Sequence, residues 1–359
     1  MSTTQQPLVS VVTPVYNGED FLAECMESVL KQTYENYEYI IVNNCSTDRT
    51  LQIALDYAKK DSRIRVHNNE SFVAVIANHN IAFRLISSGA KYCKVVSADD
   101  FLFPDCIKQM VKLAEANPSV GIVGSYQLSG DLVRWQGFRY PRAVLSGVEM
   151  CRQVFLGGQG TSGFGSPFGF GSPTSILYRA DLVRSTAEFY PNASPHSDTS
   201  ACFACLQNSD FGFVYEVLSF ERTHPETQSS ASAQMNRYSS ANLNDVICYG
   251  PFYLDKDELA QKVAETLQGY HRFLAVNYFC ASRGKKFWDY HRGRLAELGY
   301  PLKRFALLKA AVITLMEESV NPGHAIAKLR RRLVPRLEDD SSSARISGSP
   351  VKETLARAR

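Results

Sequence analysis

Two adjacent carboxylates, Asp99 and Asp100, are the side chains of this 359-residue chain whose chemistry is easiest to specify. They follow the apolar run 92–96 and precede Pro104, so the pattern places them between a buried strand and a helix that begins near a proline. Adjacent carboxylates repel each other unless a cation or hydrogen-bond donors compensate them. Such oxygen ligands suit Mg²⁺ or Mn²⁺, which also bind substrate phosphate. The pair alone does not exclude ordinary charges at a helix start.

The first 126 residues alternate between two hydrophobic periods, and these define the elements that must position the carboxylates. Apolar, β-branched runs predict strands at residues 8–13, 39–42, 64–66, 92–96 and 120–124. Helical spacing predicts helices at residues 19–31, 47–60, 73–88 and 104–116. This alternation is typical of a mostly parallel sheet with helices on both faces. Because ligands of such sheets bind beyond the carboxyl ends of the strands, residues 14–17, 43–46 and 97–100 should share one edge.

After residue 126 the pattern changes to irregular and then helical sequence. The segment 156–173 is rich in Gly, Ser and Phe, which is typical of a functional or disordered loop. A helix is expected at 198–206 and a strand at 211–220. The sequence from 235 to 328 is nearly all helical, with breaks near Gly250–Pro251, Gly299–Pro301 and Asn321–Gly323. We therefore predict the following divisions of the chain: a flexible N-terminus 1–7, two halves of an α/β domain 8–126 and 127–234, a helical C-terminal region 235–335 and a disordered tail 336–359.

Composition excludes several classes of protein. A formal net charge of +3 on 359 residues is too small to indicate a nucleic-acid partner. Nine cysteines, an odd number without a small-scaffold pattern, suit reduced thiols in the cytosol. Cys202 and Cys205 lack a second metal-ligand pair, so we interpret them as a core-facing helical turn. Residues 1–7 contain no apolar signal-peptide core, and no stretch has the apolar length of a membrane span, which predicts a cytoplasmic protein.

Four segments, in order and with their spacing, resemble the family 2 glycosyltransferases. They are residues 9–17, 28–34, 41–50 and 97–100, the last followed by Pro104-Asp105. The resemblance covers residues 8–126 and continues less specifically to about residue 229. It implies a GT-A-type fold, a mostly parallel Rossmann-like α/β sheet with flanking helices, here followed by a helical C-terminal region. Residues 8–126 would then be the nucleotide-sugar-binding half and 127–234 the acceptor-side half.

The resemblance assigns a donor site position by position. Pro14 and Tyr16 would line the nucleotide-base pocket. Asn43 stands where many members have an Asp that accepts the uracil N3–H, and an amide oxygen can accept the same bond. The residues expected to contact the nucleotide sugar are Pro14, Tyr16, Asn17, Asn43, Ser46, Asn78, Ala98, Asp99 and Arg222.

The resemblance also implies a metal site for Mg²⁺ or Mn²⁺. The family's Asp-x-Asp triplet falls on Ser97-Ala98-Asp99, where Ser97 replaces the first carboxylate and Asp99 is the expected ligand. Asp100 and His224 are further candidate ligands. Arg222 and His224 would contact the diphosphate or the metal, since guanidinium and imidazole groups suit these roles. A solvated loop histidine is the alternative for His224.

On the acceptor side the resemblance makes Asp198 the general base that deprotonates the acceptor hydroxyl. A carboxylate is a weak base for an alcohol, so its efficacy must come from positioning. The alternative is a helix N-cap, for which Asp is a preferred residue. His79 would be structural or line the donor pocket. Phe164, Phe168 and Phe170 would either stack on a sugar or fill the core.

The implied function is inverting, metal-assisted transfer of a sugar from a nucleotide-diphosphate sugar, a UDP- or dTDP-sugar, to a hydroxyl of a glycan or a lipid-linked acceptor. Cell-surface polysaccharide or glycan biosynthesis would be its setting. The alternative is a nucleotide-sugar-binding protein with impaired catalysis. Nucleotidyl transfer is disfavoured, because residues 14–18 provide no Lys or Arg for a triphosphate. The basic cluster 328–332 is either a solvated helix end or a peripheral contact with the inner face of the membrane.

Overall fold

The computed structural model describes residues 6–134, 140–157, 169–192, 194–222, 235, 237–279 and 283–320. The chain divides into two compact units, Met1–Leu267 and Gln268–Arg359. Several predictions made above lie outside the described residues: those for His224, for Phe164 and Phe168, for the helix break at Asn321–Gly323, for the basic cluster 328–332 and for the tail 336–359. The predicted domain boundaries remain predictions.

A single ten-stranded sheet forms the centre of the first unit. Its strands are β1 Val9–Val15, β2 Tyr37–Asn43, β3 Ile64–Asn68, β4 Tyr92–Val95, β5 Phe101–Leu102, β6 Val120–Ser129, β7 Leu132–Arg134, β8 Val144–Leu145, β9 Ile176–Arg179 and β10 Asp210–Glu221. The order is β3-β2-β1-β4-β9-β6-β10-β5, with β7 beside β6 and β8 beside β10. The pairs β3–β2, β2–β1, β1–β4 and β6–β10 are parallel, whereas β9 runs antiparallel to both of its neighbours. The predicted mostly parallel α/β sheet is confirmed.

Eleven helices occur in the described residues. They are α1 Leu22–Leu30, α2 Thr50–Ala58, α3 Val75–Arg84, α4 Cys106–Ala116, α5 Gly147–Leu156, α6 Ala180–Arg184, α7 Ser197–Cys205, α8 Arg237–Tyr253, α9 Lys256–Phe279, α10 Lys285–Glu297 and α11 Arg304–Val320. A short 3₁₀ turn, Pro173–Ser175, precedes β9. None of the helices that the structure describes has both the length and the apolar character that a membrane span needs.

The core lies on both faces of the sheet, because side chains alternate along each strand. Val11 of β1 and Ile41 of β2 pack with α1 and α4 on one face, where Met26 and Met110 are fully buried. Val12 and Val42 point to the opposite face, where α3 contributes the buried Phe83. Each such side chain contributes about 1.5–3 kcal/mol by leaving water. Burial on two faces explains why β1 and β2 read as continuous apolar runs.

The strand register brings the predicted functional loops together. Val15 of β1 is level with Asn43 of β2, and Asn43 is level with Asn68 of β3. Val12 is level with Val95, the last residue of β4. Because these four strands are parallel, the segments that follow them emerge at the same edge of the sheet.

Of the three predicted helix breaks, the one near Gly250–Pro251 is displaced to Leu254–Asp255, between α8 and α9. Helix α8 continues past Gly250 and Pro251 to Tyr253. Proline in a helix costs about 3 kcal/mol, but Tyr253 is 4% exposed and its hydroxyl donates to the carbonyl oxygen of Phe203. Burial and this bond favour another helical turn. The break at 299–301 is confirmed, since α10 ends at Glu297 and Gly299 has a φ of 84°.

Candidate active site

The loops that follow β1 and β2 are bonded to each other along the sheet edge. Asn17 adopts a left-handed conformation (φ 49°), which asparagine tolerates better than most residues. Its N–H donates to Ser46 Oγ (2.9 Å), and its Oδ1 accepts from the Thr47 N–H (2.9 Å). The Gly18 N–H donates to Thr50 Oγ1 (2.8 Å). Asn17 and Ser46, both predicted donor-site residues, therefore hold each other in place.

An exposed aromatic pair stands beside this edge. Tyr16, the residue after β1, is 48% exposed, and its ring lies 4.9 Å from that of Phe72 in an edge-to-face arrangement. Pro14, the other residue predicted to line the base pocket, is buried within β1. The sequence did not identify Phe72 as a candidate site residue. The only feature that could have indicated it is the presence of an apolar residue shortly after β3.

Two asparagine side chains, Asn43 at the end of β2 and Asn78 on α3, are buried. Asn43 is 1% exposed, and its Nδ2 donates to Asn68 Oδ1 (2.6 Å). Its Oδ1 is buried and has no partner in the described part of the chain. Asn78 behaves differently, because its Oδ1 accepts from Asn69 Nδ2 (2.8 Å) and its Nδ2 contacts the Val42 carbonyl oxygen (3.3 Å). Asn78 thus attaches α3 to the sheet, whereas Asn43 retains an unused acceptor.

The carboxylate pair is divided by burial. Asp100 is 6% exposed; its Oδ2 accepts from Thr174 Oγ1 (2.6 Å) and its Oδ1 from the Arg222 N–H (3.0 Å). Burial, followed by the charge of Asp99, raises the pKa of Asp100 to about 7, although these two hydrogen bonds oppose the rise. Asp99 is only partly buried. The two neighbours are therefore chemically unlike.

A buried lysine supports the turn that contacts Asp100. Lys94 is fully buried in β4, and its Nζ donates to the carbonyl oxygens of Thr174 and of Ile176 (3.0 Å). Thr174 also receives the Ser97 N–H at its Oγ1 (3.1 Å). Burial lowers the pKa of Lys94, while the nearby Asp100 acts in the opposite direction. Sequence reasoning missed Lys94 and Thr174, since neither lies in a segment that carries the family resemblance.

Arg222 connects the end of β10 to the Asp99 loop. Its Nε donates to the Asp99 carbonyl oxygen (3.0 Å), and its Nη2 donates to Glu24 Oε2 (2.6 Å). The guanidinium also lies over the Phe21 ring, 4.8 Å from its centroid. The loop is therefore fastened to α1 through a side chain 123 residues away in sequence. A role for Arg222 at the diphosphate remains a prediction.

The residues at this edge fit a hard divalent cation. Asp99 and Asp100 provide carboxylate oxygens, which suit Mg²⁺ or Mn²⁺ when water and phosphate complete the shell. Ala98 brings this loop close to the first one, because a Cβ added to Gly18 would lie 3.7 Å from the Ala98 Cβ. The described residues contain no cluster of three or more His, Cys, Asp and Glu suited to a metal. Phosphate and water would have to supply the remaining ligands, together with His224 if it participates.

Asp198 belongs to a second group of side chains, at the start of α7. The N-cap position is taken by His196, so the N-cap alternative for Asp198 is wrong. Asp198 acts electrostatically on His79. Burial lowers the pKa of His79, and the negative charge of Asp198 opposes this lowering. His79 Nδ1–H donates to the Val75 carbonyl oxygen (2.9 Å), and its ring stacks on Tyr190 at 5.5 Å. The predicted base thus lies close to α3, the helix that carries Asn78.

Two alternatives are decided by packing. Phe170 is 4% exposed and packs against Phe203 (5.0 Å), so it belongs to the core and does not stack on a sugar. Cys202 and Cys205 are buried free thiols on α7, as predicted. Burial raises the pKa of Cys205 to about 12, which keeps it protonated and unreactive.

Comparison with known proteins supports the same assignment. The model of glycosyl transferase family 2 matches residues 10–184. An uncharacterized glycosyltransferase of Rickettsia typhi is 34% identical over 242 residues, which cover 66% of this chain and 71% of the relative. The chain belongs to glycosyl transferase family 2. The predicted family is confirmed.

Other family 2 relatives match over shorter regions. An uncharacterized glycosyltransferase of Haemophilus influenzae is 38% identical over 120 residues, 33% of this chain and 36% of the relative. A putative teichuronic acid biosynthesis glycosyltransferase, TuaG of Bacillus subtilis, is 34% identical over 157 residues, 43% of this chain and 61% of the relative. The chain spans a little over a third of the length of the first curated relatives that it matches.

Solved structures of similar fold confirm the GT-A-type architecture. S. aureus TarS 1–349 in complex with UDP-GlcNAc superposes with a TM-score of 0.55 at 17% identity, over 81% of this chain and 80% of TarS. The mannosyltransferase PcManGT from Pyrobaculum calidifontis, in complex with GDP-Man and Mn²⁺, gives a TM-score of 0.50 at 15% identity, over 88% and 89%. At these identities the similarity shows the fold alone.

Proposed function

We propose that this family 2 protein transfers a sugar, with inversion, from a nucleotide-diphosphate sugar to a hydroxyl acceptor. The observation that carries the proposal is the carboxylate pair Asp99–Asp100, which lies at the same edge of the sheet as the exposed Tyr16. The complexes of TarS with UDP-GlcNAc and of PcManGT with GDP-Man are consistent with a nucleotide-sugar donor on this fold.

The nucleotide would bind across the loops that follow β1 and β2. The exposed Tyr16 ring provides a face on which a base can stack. The Asn43 Oδ1, buried without a partner in the described residues, would accept an N–H from the base, because a buried acceptor left unpaired costs about 1–3 kcal/mol. We propose a UDP- or dTDP-sugar, since N3–H of uracil or thymine is a suitable donor.

Asp99 would be the main protein ligand of Mg²⁺ or Mn²⁺, and Asp100, already bonded to Thr174 and Arg222, would orient the loop. When bound, the cation supplies charge neutralisation for the departing diphosphate. Arg222 holds the Asp99 carbonyl oxygen in place, so it contributes to the geometry of this ligand. The Mn²⁺ complex of PcManGT is consistent with such a metal.

Asp198 would accept the proton of the acceptor hydroxyl as that oxygen attacks the sugar. Its position in the first turn of α7, beside His79, gives it a defined orientation. Removing such a positioned base should slow transfer by about 10²–10⁴-fold. The acceptor would be a glycan or a lipid-linked saccharide in cell-surface polysaccharide or glycan biosynthesis, the setting that the name of TuaG suggests.

The proposal is tested by binding and turnover measured separately. Calorimetry with UDP-, dTDP- and GDP-sugars in Mn²⁺ identifies the donor, and release of the nucleotide diphosphate measures turnover. Asp99→Ala should lose Mn²⁺ affinity and metal-dependent turnover. Asp198→Asn should bind the donor normally and lose turnover, whereas Asp181→Asn, in the first turn of α6, is a matched control that should change neither. Wild-type turnover in Asp198→Asn would exclude the base assignment.

The alternative function is a nucleotide-sugar-binding protein with impaired catalysis. Ser97 and Asn43, which replace two carboxylates of the family pattern, are the observations that favour it. This alternative predicts donor binding by the wild type without turnover in the presence of Mn²⁺ and any acceptor. The same calorimetric panel, followed by the turnover assay, separates the two functions.

We also propose peripheral contact with an anionic membrane surface. Helix α11 exposes Phe305 (75%), Leu308 (54%) and Val312 (49%), which lie on one face at spacings of three and four residues. The exposed Lys309 on this helix and the basic sequence 328–332 favour anionic lipid. Co-sedimentation should be seen with phosphatidylglycerol vesicles and not with phosphatidylcholine, and should weaken in Phe305→Ser. Equal binding to both vesicle types would contradict it.

A further inference from the structure

A buried carboxyl on α8, Asp245, faces the start of α7. It is 4% exposed, and burial raises its pKa to about 7, with the charge of Asp198 contributing in the same direction. A buried carboxyl destabilises a fold unless hydrogen bonds compensate it. An apolar residue would serve simple helix packing better, so the contacts of Asp245 need a specific explanation.

A directed chain of hydrogen bonds runs from Asp245 to the turn before α7. Ser200 Oγ donates to Asp245 Oδ1 (2.8 Å), and this bond uses the only proton of the Ser200 hydroxyl. Ser194 Oγ must therefore donate to Ser200 Oγ (2.7 Å). Ser194 Oγ in turn accepts the His196 N–H (3.2 Å). Each bond polarises the next, and the carboxylate end determines the direction of the whole chain.

This chain fixes the backbone on both sides of Asp198. Ser194 and His196 lie before it, and Ser200 lies two residues after it in the first helical turns. Ser197, the residue immediately before Asp198, is also engaged: its single hydroxyl proton is shared between the carbonyl oxygens of Ser194 (2.8 Å) and Pro191 (2.9 Å). The turn carrying Asp198 is thus held by side-chain bonds to the preceding segment 191–194 and, through Ser200, to Asp245 of α8.

We propose that Asp245 is a positioning residue for the acceptor-side base. Through Ser200 and Ser194 it fixes the first turn of α7, and this fixes the direction of the Asp198 carboxylate. The proposal rests on the proposed role of Asp198 in proton transfer. A carboxylate suits the task because it only accepts, so the hydroxyl chain cannot reverse while Asp245 is ionised. Catalytic groups lose on the order of 100-fold in rate when misplaced by about 1 Å.

The competing explanation is that Asp245 only holds α8 against α7. Both explanations predict lower stability when Asp245 is removed, so stability does not distinguish them. They differ in two measurements. Positioning predicts that loss of Asp245 lowers kcat and leaves the KM for the donor unchanged. It also predicts that kcat is restored by a neutral side chain at position 245 that still accepts a hydrogen bond. Simple packing predicts that kcat follows the stability of the variant, whichever buried residue of α8 is changed.

The test uses the full chain and four variants. Asp245→Leu removes the carboxylate that accepts from Ser200, and Asp245→Asn retains an oxygen that can accept from it. Ser200→Ala removes the hydroxyl that links Ser194 to Asp245 in the hydrogen-bond chain. Leu243→Ala, at a fully buried position of the same helix, is the matched control for lost packing. Two properties are measured for each variant. The first is hydrogen exchange of the segment 194–200. The second is the kcat and KM of donor hydrolysis, with Mn²⁺ and the nucleotide sugar that the wild type turns over.

Asp245→Leu and Ser200→Ala should accelerate exchange in 194–200 and lower kcat by about tenfold or more, with KM within about twofold. Asp245→Asn should stay near the wild type, and Leu243→Ala should lose thermal stability while keeping its kcat. Unchanged exchange, or an unchanged kcat despite faster exchange, would overturn the proposal. If Asp245→Leu fails to fold, Ser200→Ala decides. If the wild type hydrolyses no nucleotide sugar, the proposed function fails, and the exchange data still decide whether Asp245 fixes the turn.

Discussion

Replacing Asp100 by asparagine should stabilise the metal-free protein at alkaline pH. Asp100 is 6% exposed, and its pKa is raised to about 7 from an ordinary value of 3.8, first by burial and then by Asp99. Asparagine has nearly the same shape and removes the buried charge. The substitution therefore isolates the free-energy cost of that charge.

The magnitude follows from the shift in pKa. Between pH 3.8 and 7 the folded protein retains a proton that the unfolded chain has released, so wild-type stability falls as pH rises through this window. A difference of about 3 pKa units corresponds to about 4 kcal/mol, fully present above pH 7. Asparagine loses one of the two bonds to Thr174 and Arg222, which costs about 1–2 kcal/mol. The net gain at pH 8.5 should be about 2 kcal/mol.

Urea denaturation in EDTA, at intervals from pH 4.5 to 9, measures the effect. Asp100→Asn should be about 1 kcal/mol less stable than the wild type at pH 4.5, because the protonated Asp100 is then neutral and keeps its bonds. The two stability curves should cross at about pH 5, because the wild type loses about 1.4 kcal/mol per pH unit between pH 3.8 and 7. Asp245 titrates over the same window, but it is present in both proteins and cancels in their difference.

A destabilised Asp100→Asn at pH 8.5 would refute the reasoning, because it would show that the bonds from Thr174 and Arg222 outweigh the burial of charge. A pH-independent difference would show that Asp100 does not titrate in this range. Added Mn²⁺ should stabilise the wild type more than the variant, since the cation compensates the charge that asparagine lacks.

Three further substitutions test the supports of the site. Asn17→Ala should lose about 1–2 kcal/mol, because it removes the acceptor of the Thr47 N–H and places alanine at a φ of 49°, whereas Asn17→Gly should lose less; thermal unfolding compares them. Gly147→Ala should lower the free energy of unfolding by about 3 kcal/mol or more, because the new Cβ would lie 2.0 Å from a backbone carbonyl oxygen. Urea denaturation measures this loss, and a well-folded variant would contradict it. Lys94→Met should cost about 2–3 kcal/mol by removing two buried hydrogen bonds and should reduce donor turnover, while unchanged turnover would show that the Lys94 charge is not needed at the site.

The predictions that held rest on local patterns. The strands β1 to β4 and their helices follow from hydrophobic period and turn residues, which depend on neighbours in sequence. Once those strands were known to be parallel, the loops carrying Asn17, Ser46 and Asp99 had to share an edge. The family resemblance lies in these same segments, which is why the family could be named from the sequence. The helix break expected near Pro251 is displaced to Leu254–Asp255, because the burial of Tyr253, a tertiary effect, outweighed the local preference.

By itself, the sequence determined the α/β half of this protein, the edge at which its loops meet and the residue types gathered there. Only the tertiary structure decided how those residues differ. Asp100 and Asp99 are adjacent and alike in sequence, yet the carboxylate of Asp100 is buried and accepts hydrogen bonds from Thr174 and Arg222, 74 and 122 residues away, whereas Asp99 is only partly buried. The same holds for Asp245, which reaches Ser200 across 45 residues. Burial and long-range hydrogen bonds set the pKa and the orientation of a carboxyl group, and neither leaves a periodic signal in the sequence.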